Sequence, residues 1–261
     1  TLGIPNRAWR WLRAEPAIAG RNYTVSSECR FPGRSRLTGP YEPAKRPDAT
    51  PAGGPGVVFA MSWNTQLFLL LNGPAAPDPT MLFAIRMLAG SPVVVAPALL
   101  AWLWVRRADQ RRAGLLAVAL AALAGQCANL LLGMLWFEPR PFMAGIGHTL
   151  LAHAADNGFP SDHSTLMFAL GTGLILTGAA RAAGAAVCVL GLAVAWARVY
   201  LGVHFPIDVL TGLPVGAAAG WLARLIQPLL RRHALPPAER LYGCALAALR
   251  LPAAIFPRGT R

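Results

Sequence analysis

Charged residues are scarce between positions 113 and 223, and nearly all of them fall into three short clusters. The region holds only seven charged residues. In chain order the clusters are Glu138-Pro-Arg140-Pro141, the stretch from Asp156 to His163, and Arg198-x5-His204-x3-Asp208. A charge in or beside a membrane span is costly, so charges that persist in a pattern usually mark a site. Two arginines, two histidines and an aspartate are what a phosphate-transfer centre without a metal would need.

The third cluster has the spacing of a histidine supported by a carboxylate. If Pro206 opens a helix, Asp208 lies one turn inside it and can hold one ring nitrogen of His204. The other nitrogen is then free to attack, and Arg198 offers a planar fork that suits phosphate oxygens. For this cluster alone, a snorkelling arginine with an ordinary aspartate in a first helical turn is an equally good interpretation.

The second cluster predicts a helix N-terminus beside a histidine. Ser161 or Asp162 is a suitable N-cap before the apolar run, and the free N–H groups of a helix N-terminus attract anions. His163 in that first turn would lie beside a bound phosphate, where it could protonate a leaving oxygen. A plain helix cap with an incidental histidine is the alternative.

The first cluster contributes Arg140. Pro141 breaks the helix after it and directs the guanidinium into the following loop. By itself Arg140 is only a loop arginine. Three such clusters in this order, on one face of a membrane, are poorly explained by coincidence.

The composition is that of a membrane protein. Of the 261 residues, 55% are apolar and 13% are charged, with a mean hydropathy of +0.45, whereas soluble domains are about a quarter charged. The net charge of +13 lies outside the apolar core and forms no basic face interleaved with aromatic residues, so nucleic-acid binding is not expected. The four cysteines form no C-x-x-C pair, which predicts small buried side chains rather than a disulfide or zinc site.

The apolar runs that must position the clusters predict an all-α, polytopic membrane helix bundle. The run Trp63–Asn72 is too short to span and predicts an N-terminal interfacial helix. About five transmembrane helices follow, at roughly Met81–Val105, Ala113–Phe137, Ser164–Ala180, Ala182–Leu201 and Pro206–Leu230. The third is marginal, because a span needs about 20 residues.

This pattern divides the chain into three segments. Residues 1–60, which contain nine basic residues and many prolines and glycines, are expected to be a disordered or non-native extension that precedes a start at Met61. A transit peptide is a weaker alternative. Residues 61–232 form the predicted membrane domain, and residues 233–261 form a predicted cytoplasmic basic tail.

The arginines predict the orientation of the bundle. They concentrate in the connection 106–112, at Arg181, and in the stretch 224–232. The positive-inside rule makes these parts cytoplasmic. The loops 138–163 and 201–206 then face outward together, and they bring all three clusters to the extracytoplasmic side.

The clusters resemble the three motifs of the type 2 phosphatidic acid phosphatase superfamily. The motifs are Arg140-Pro141, Pro160-Ser161-x-His163 and Arg198-x5-His204-x3-Asp208, and the resemblance covers about residues 61–230. Asp162, the stretch 136–142 and His153-Ala-Ala-Asp156 are most similar to the bacterial undecaprenyl-pyrophosphate phosphatases linked to bacitracin resistance.

The resemblance implies hydrolysis through a phosphohistidine. His204 would be the nucleophile, Asp208 its orienting partner and His163 the general acid. The phosphate would be held by Arg140, Arg198, Ser161 and Asp162. The resemblance also allows His148 and His153 to contact a second phosphate, with ordinary loop histidines as the alternative. No metal or other cofactor is implied, and no Asp/Glu/His spacing builds a magnesium or two-metal site.

Two positions depart from the family pattern. The superfamily usually has a lysine seven residues before the first-motif arginine, and here that position is Gly133. The serine that often precedes the third-motif arginine is Ala197. Arg86 could replace the charge of the missing lysine, although a snorkelling arginine is the simpler interpretation.

The sequence therefore predicts a metal-independent lipid phosphatase of the bacterial inner membrane with an extracytoplasmic site. The expected reaction converts undecaprenyl pyrophosphate to undecaprenyl phosphate, which recycles a lipid carrier for peptidoglycan and cell wall biogenesis. Phosphatidylglycerol phosphate, phosphatidic acid, diacylglycerol pyrophosphate and lipid A phosphates are alternative substrates. A lipid-phosphate binder or flippase without turnover is the alternative from another functional class.

Overall fold

The computed structural model describes residues 55–106 and 110–250, and these residues are mostly helical. Eight helices follow in chain order: α1 (Pro55–Leu71), α2 (Pro79–Gly90), α3 (Pro92–Arg106), α4 (Gln110–Leu135), α5 (Asp162–Leu176), α6 (Arg181–Tyr200), α7 (Pro206–His233) and α8 (Leu235–Ala248). Within the described residues there is no strand, and the β-pairing consists of an isolated antiparallel bridge between Pro139 and Asn157. The predicted all-α bundle is confirmed.

The N-terminal helix is longer than the run that predicted it. α1 begins at Pro55 and ends at Leu71, so the predicted boundary at Met61 falls inside this helix. Residues 1–54 lie outside the described part of the chain, and so does most of the segment that we expect to be disordered or non-native.

Three of the described helices are long and apolar enough to cross a membrane. They are Arg111–Leu135 in α4, α6 and α7, and a fourth span results if α2 and α3 cross together. α5 has 15 residues, which is about 22 Å of helix and less than the roughly 30 Å hydrocarbon core of a bilayer. The number of about five spans stays a prediction.

The predicted span Met81–Val105 is two helices rather than one. α2 and α3 meet at Ser91 with a bend of 54°. Pro92 has no N–H to offer the carbonyl of Leu88, and Ser91 donates to that oxygen instead, through its N–H (3.3 Å) and its Oγ (2.8 Å). The bend is therefore a proline effect that the apolar composition of the run conceals.

α5 lies at the centre of the bundle and packs against α4, α6 and α7. Gly212 on α7 comes so close to the start of α5 that a Cβ there would lie 2.8 Å from the carbonyl oxygen of Ser161. A larger residue would force the two helices apart. This close approach sets the beginning of α7 against the residues that precede His163.

The C-terminal part of the described chain is attached to the bundle by a buried arginine. Arg112 on α4 is fully buried, and its guanidinium lies over the rings of Trp104 (5.2 Å) and Tyr242 (4.9 Å). Its Nη1 is 3.6 Å from Oε1 of Glu239 on α8. Cation–π contacts and an ion pair thus hold α8 against α3 and α4.

Candidate active site

The predicted clusters meet at one end of the bundle, where the 136–161 loop lies over the turn between α6 and α7. Backbone hydrogen bonds fix this arrangement: Ser161 N donates to Asp208 O (3.0 Å), and Leu150 N donates to Leu201 O (2.9 Å). Arg86 donates to the carbonyl of Leu150 through Nε (2.8 Å) and Nη2 (2.5 Å). Arg86 therefore supports the loop.

His204 and Asp208 form a buried pair at the start of α7. Nδ1 of His204 lies 3.4 Å from Oδ2 of Asp208, and both side chains are almost completely buried. The same carboxylate oxygen accepts a hydrogen bond from the backbone N–H of Phe205 (2.8 Å). The helix that begins at Pro206 thus places the carboxylate one turn in, on the Nδ1 side of the imidazole.

The other nitrogen of His204 faces two arginines. Nε2 lies 3.2 Å from Arg140 Nη1 and 3.4 Å from Arg198 Nη2. A guanidinium can only donate hydrogen bonds, so Nε2 must be the unprotonated nitrogen that accepts them. The proton then resides on Nδ1, toward Asp208. This is the tautomer in which Nε2 carries the free electron pair.

The surroundings of His204 also keep it uncharged. Burial, followed by the positive charges of Arg198 and Arg140, holds the pKa of His204 well below its usual range. Its imidazole is therefore neutral at physiological pH, as a nitrogen nucleophile must be.

Arg140 is held from three sides. Its Nε donates to Asp156 Oδ1 (2.7 Å), and its Nη1 and Nη2 donate to the carbonyl oxygens of Val203 (2.9 Å) and Asn157 (3.0 Å). The guanidinium is therefore fixed against His204 before any substrate arrives, which lowers the cost of ordering it in the transition state.

Arg198 on α6 brings His153 into the site. Its Nη2 donates to Nε2 of His153 (3.1 Å), whose Nδ1 donates to the carbonyl of Ala154 (3.2 Å). Burial and then the charge of Arg140 lower the pKa of His153, which fits a neutral ring that accepts from an arginine. Nε of Arg198 is buried without a hydrogen-bond partner among the described residues, so it is available to an incoming anion.

The second cluster lies beside these groups. Ser161 is fully buried, and its Oγ has no partner in the described part of the chain. His163 lies in the first turn of α5, close enough to Arg198 to be influenced by its positive charge. A phosphate at His204 would therefore meet an unused hydroxyl and a second imidazole.

Two of the predicted phosphate contacts make their described hydrogen bonds to groups other than the arginines, although the charge of Asp162 also acts on Arg198. Oδ1 of Asp162 accepts from Nδ2 of Asn129 on α4 (2.9 Å), so this carboxylate is used in tying α5 to α4. The described contacts of His148 are made by its backbone, which exchanges hydrogen bonds with Asn72. The negative charge of the Asp162 carboxylate would also repel a phosphate.

Asn157 is a site residue that the sequence did not single out. Its Oδ1 accepts from the N–H groups of Glu138 (2.9 Å) and Phe159 (3.1 Å), while its Nδ2 donates to the carbonyls of Gly133 and Trp136 (2.8 Å each). A Cβ on Gly133 would lie 3.0 Å from that Nδ2. Asn157 therefore occupies the space beside the position where the family usually has a lysine.

We expect Asn157→Ala to lower kcat by about 10²-fold, because Arg140 loses the loop that positions it and a displacement of about 1 Å can cost this much. Steady-state phosphate release measures the effect. Asn129→Ala is the matched control, since it removes a second asparagine, a buried one, whose described bonds reach Asp162 and Thr165 rather than an arginine. Equal losses in the two variants would contradict a positioning role for Asn157.

Comparison with known proteins finds a matching family and similar sequences. The PAP2 superfamily matches residues 114–232. YbjG of Escherichia coli (strain K12) is 34% identical over 163 residues, which cover 62% of this chain and 82% of that protein. Undecaprenyl-diphosphatase BcrC of Bacillus subtilis (strain 168) is 34% identical over 169 residues, which cover 64% and 86%.

A solved structure shares the fold. The crystal structure of Aquifex aeolicus LpxE superimposes with a TM-score of 0.53 at 24% identity, covering 62% of this chain and 94% of that one. Together with the apolar helices, these similarities show a multi-pass membrane protein.

Proposed function

The chain belongs to the PAP2 superfamily, and from this membership we propose that it is a lipid pyrophosphatase that converts undecaprenyl pyrophosphate to undecaprenyl phosphate. One observation carries the proposal: Nε2 of His204 lies between two guanidinium groups, while Asp208 lies beside Nδ1. This arrangement presents a neutral nucleophile where two cations would hold a phosphate. The similarity to an undecaprenyl-diphosphatase supports the choice of substrate.

In the first step, Nε2 of His204 attacks the terminal phosphorus and the bond to the bridging oxygen breaks. Undecaprenyl phosphate leaves, and His163 donates a proton to the departing oxygen. Arg140 and Arg198 stabilise the negative charge that gathers on the transferred group. Asp208 balances the positive charge that develops on the imidazole.

In the second step, water attacks the phosphohistidine. His163 takes the proton of the water, the P–N bond breaks, and inorganic phosphate leaves with His204 restored. A bound pyrophosphate favours the protonated form of His163 at the start of the cycle, because a nearby negative charge stabilises a cation.

We further propose that the protein lies in the bacterial inner membrane with this site on the periplasmic face. The arginine-rich connections are at the other end of the helices, and the positive-inside rule assigns that end to the cytoplasm. A carrier lipid that releases its sugar outside the cell would present its pyrophosphate to the periplasmic side.

The test is comparative hydrolysis by the purified protein in detergent. We expect undecaprenyl pyrophosphate to give a higher kcat/KM than phosphatidic acid or phosphatidylglycerol phosphate. The activity should persist in EDTA, because arginines provide the positive charge at phosphorus. Faster turnover of a monophosphate would assign a different lipid. Binding without phosphate release would indicate a non-catalytic binder or flippase.

A further inference from the structure

A cavity of about 410 Å³ at the opposite end of the bundle is lined by three arginines. Arg111 comes from the first turn of α4, and Arg224 and Arg231 come from the last third of α7. Thr177, which follows α5, and Gln227 also line the cavity. We call this the arginine cavity.

The arginine cavity is separate from the candidate active site. α4, α5 and α7 each run from one to the other, and Asp208 and Arg224 are 16 positions apart on α7, or about 24 Å along the helix. A ligand in this cavity would therefore not touch His204.

The three guanidinium groups lack a counter-charge among the described residues. No described carboxylate lies within 4.0 Å of Arg111, Arg224 or Arg231. The N-terminal end of α4 and the C-terminal end of α5 both border the cavity, and their opposite partial charges leave the arginines as the source of its positive charge. Three cations around one concavity are suited to a phosphate group.

Gln227 adds an unused acceptor to the arginine cavity. Its Nε2 donates to the carbonyl of Thr177 (3.2 Å), whereas its Oε1 is buried without a donor in the described part of the chain. If the Gln227 amide turned toward the cavity, a hydroxyl group beside the phosphate would supply that donor.

α7 also carries exposed apolar side chains at this end of the bundle. Leu225 and Leu229 follow Arg224 and Pro228 on α7 and expose 52% and 61% of their surfaces. A ligand with a phosphate in the cavity could lay hydrocarbon chains over these leucines. This combination favours a lipid over a free ion.

We propose that the arginine cavity binds the phosphate group of an anionic membrane lipid with a hydroxyl-bearing headgroup. The site is independent of hydrolysis at His204 and adds a second lipid contact at the arginine-rich end of the bundle. The arginines provide charge-assisted hydrogen bonds to the phosphodiester, and Gln227 accepts from the headgroup hydroxyl.

Lipid binding to the purified, full-length protein tests the proposal. Native mass spectrometry and thermal melting would compare phosphatidylglycerol with phosphatidylcholine, and a third arm would use sodium phosphate alone. We expect phosphatidylglycerol to give a retained adduct and a higher Tm, with little effect from phosphatidylcholine. An equal shift with sodium phosphate would overturn the lipid as the ligand.

Arginine variants locate the binding. Arg224→Gln should weaken phosphatidylglycerol binding by about tenfold, as expected for the loss of one charged hydrogen bond. The matched control is Arg181→Gln, which removes the same charge at the same end of the bundle but from outside the cavity wall. Equal weakening in both variants would overturn a defined site in favour of general surface charge.

Measuring hydrolysis by Arg224→Gln distinguishes the loss of the lipid site from misfolding of the protein. Arg224→Gln lies far from His204, so a folded variant should keep wild-type turnover while it loses lipid affinity. If Arg224→Gln is poorly folded, Gln227→Leu provides a second variant, which should reduce the preference for phosphatidylglycerol over a lipid phosphate without hydroxyls. Wild-type lipid binding by a folded Arg224→Gln, or an unchanged preference in a folded Gln227→Leu, would refute the proposal.

Discussion

Replacing His204 with glutamine should reduce hydrolysis of undecaprenyl pyrophosphate to background. The variant removes Nε2, which lies between the two guanidinium groups, and Nδ1, which lies beside Asp208, and no described side chain replaces Nε2 at that position. Loss of a catalytic nucleophile in other hydrolases costs on the order of 10⁶-fold in kcat. Phosphate release from the purified variant measures the loss.

The matched control for this variant is His233→Gln. His233 is an exposed histidine at the far end of α7, and its substitution should leave turnover unchanged. Substantial residual activity in His204→Gln, at a hundredth of wild type or more, would show that His204 is not the attacking group.

Replacing His163 with glutamine should give the second largest loss, about 10²–10⁴-fold, as is typical when a general acid is removed. The size of the loss should depend on the leaving group. A lipid alkoxide, as in phosphatidic acid, needs a proton as it departs. p-Nitrophenolate does not, so p-nitrophenyl phosphate should be much less affected.

The comparison of the two substrates separates proton donation from simple positioning. The ratio of kcat/KM for p-nitrophenyl phosphate over phosphatidic acid should rise in His163→Gln. The ratio should stay near the wild-type value in Asn157→Ala, because Arg140 is displaced in this variant but His163 can still donate a proton. An identical loss on both substrates in His163→Gln would count against a general-acid role.

The sequence could predict the His204–Asp208 arrangement because it depends on local geometry. Pro206 starts α7, and one helical turn then fixes the carboxylate relative to the imidazole. The placement of Arg198 is similarly local, since it ends α6 just before a short turn. Spacing along the chain carries this information.

The support of Arg140 could not be predicted in the same way. It depends on Asn157, whose bonds reach back 24 positions to Gly133 and close a loop without regular structure. His153 meets Arg198 across 45 positions. Such contacts depend on how an irregular loop folds over the helices, and no periodicity in the sequence records this.

The membrane helices show a further limit of composition. The run 81–105 is apolar apart from Arg86 and Ser91, yet Pro92 divides it into α2 and α3. Hydropathy reports transfer to lipid, whereas a bend depends on a single missing N–H. Gly90 and Pro92 were the signals that could have located it.

The most direct test of the account is to trap the phosphoenzyme. Undecaprenyl pyrophosphate labelled with ³²P in its terminal phosphate would be mixed with the wild-type protein and quenched in alkali, because the P–N bond of phosphohistidine breaks in acid. We predict label on the peptide that contains His204, and no label in His204→Gln. A labelled peptide that does not contain His204, or label that persists in His204→Gln, would contradict the account.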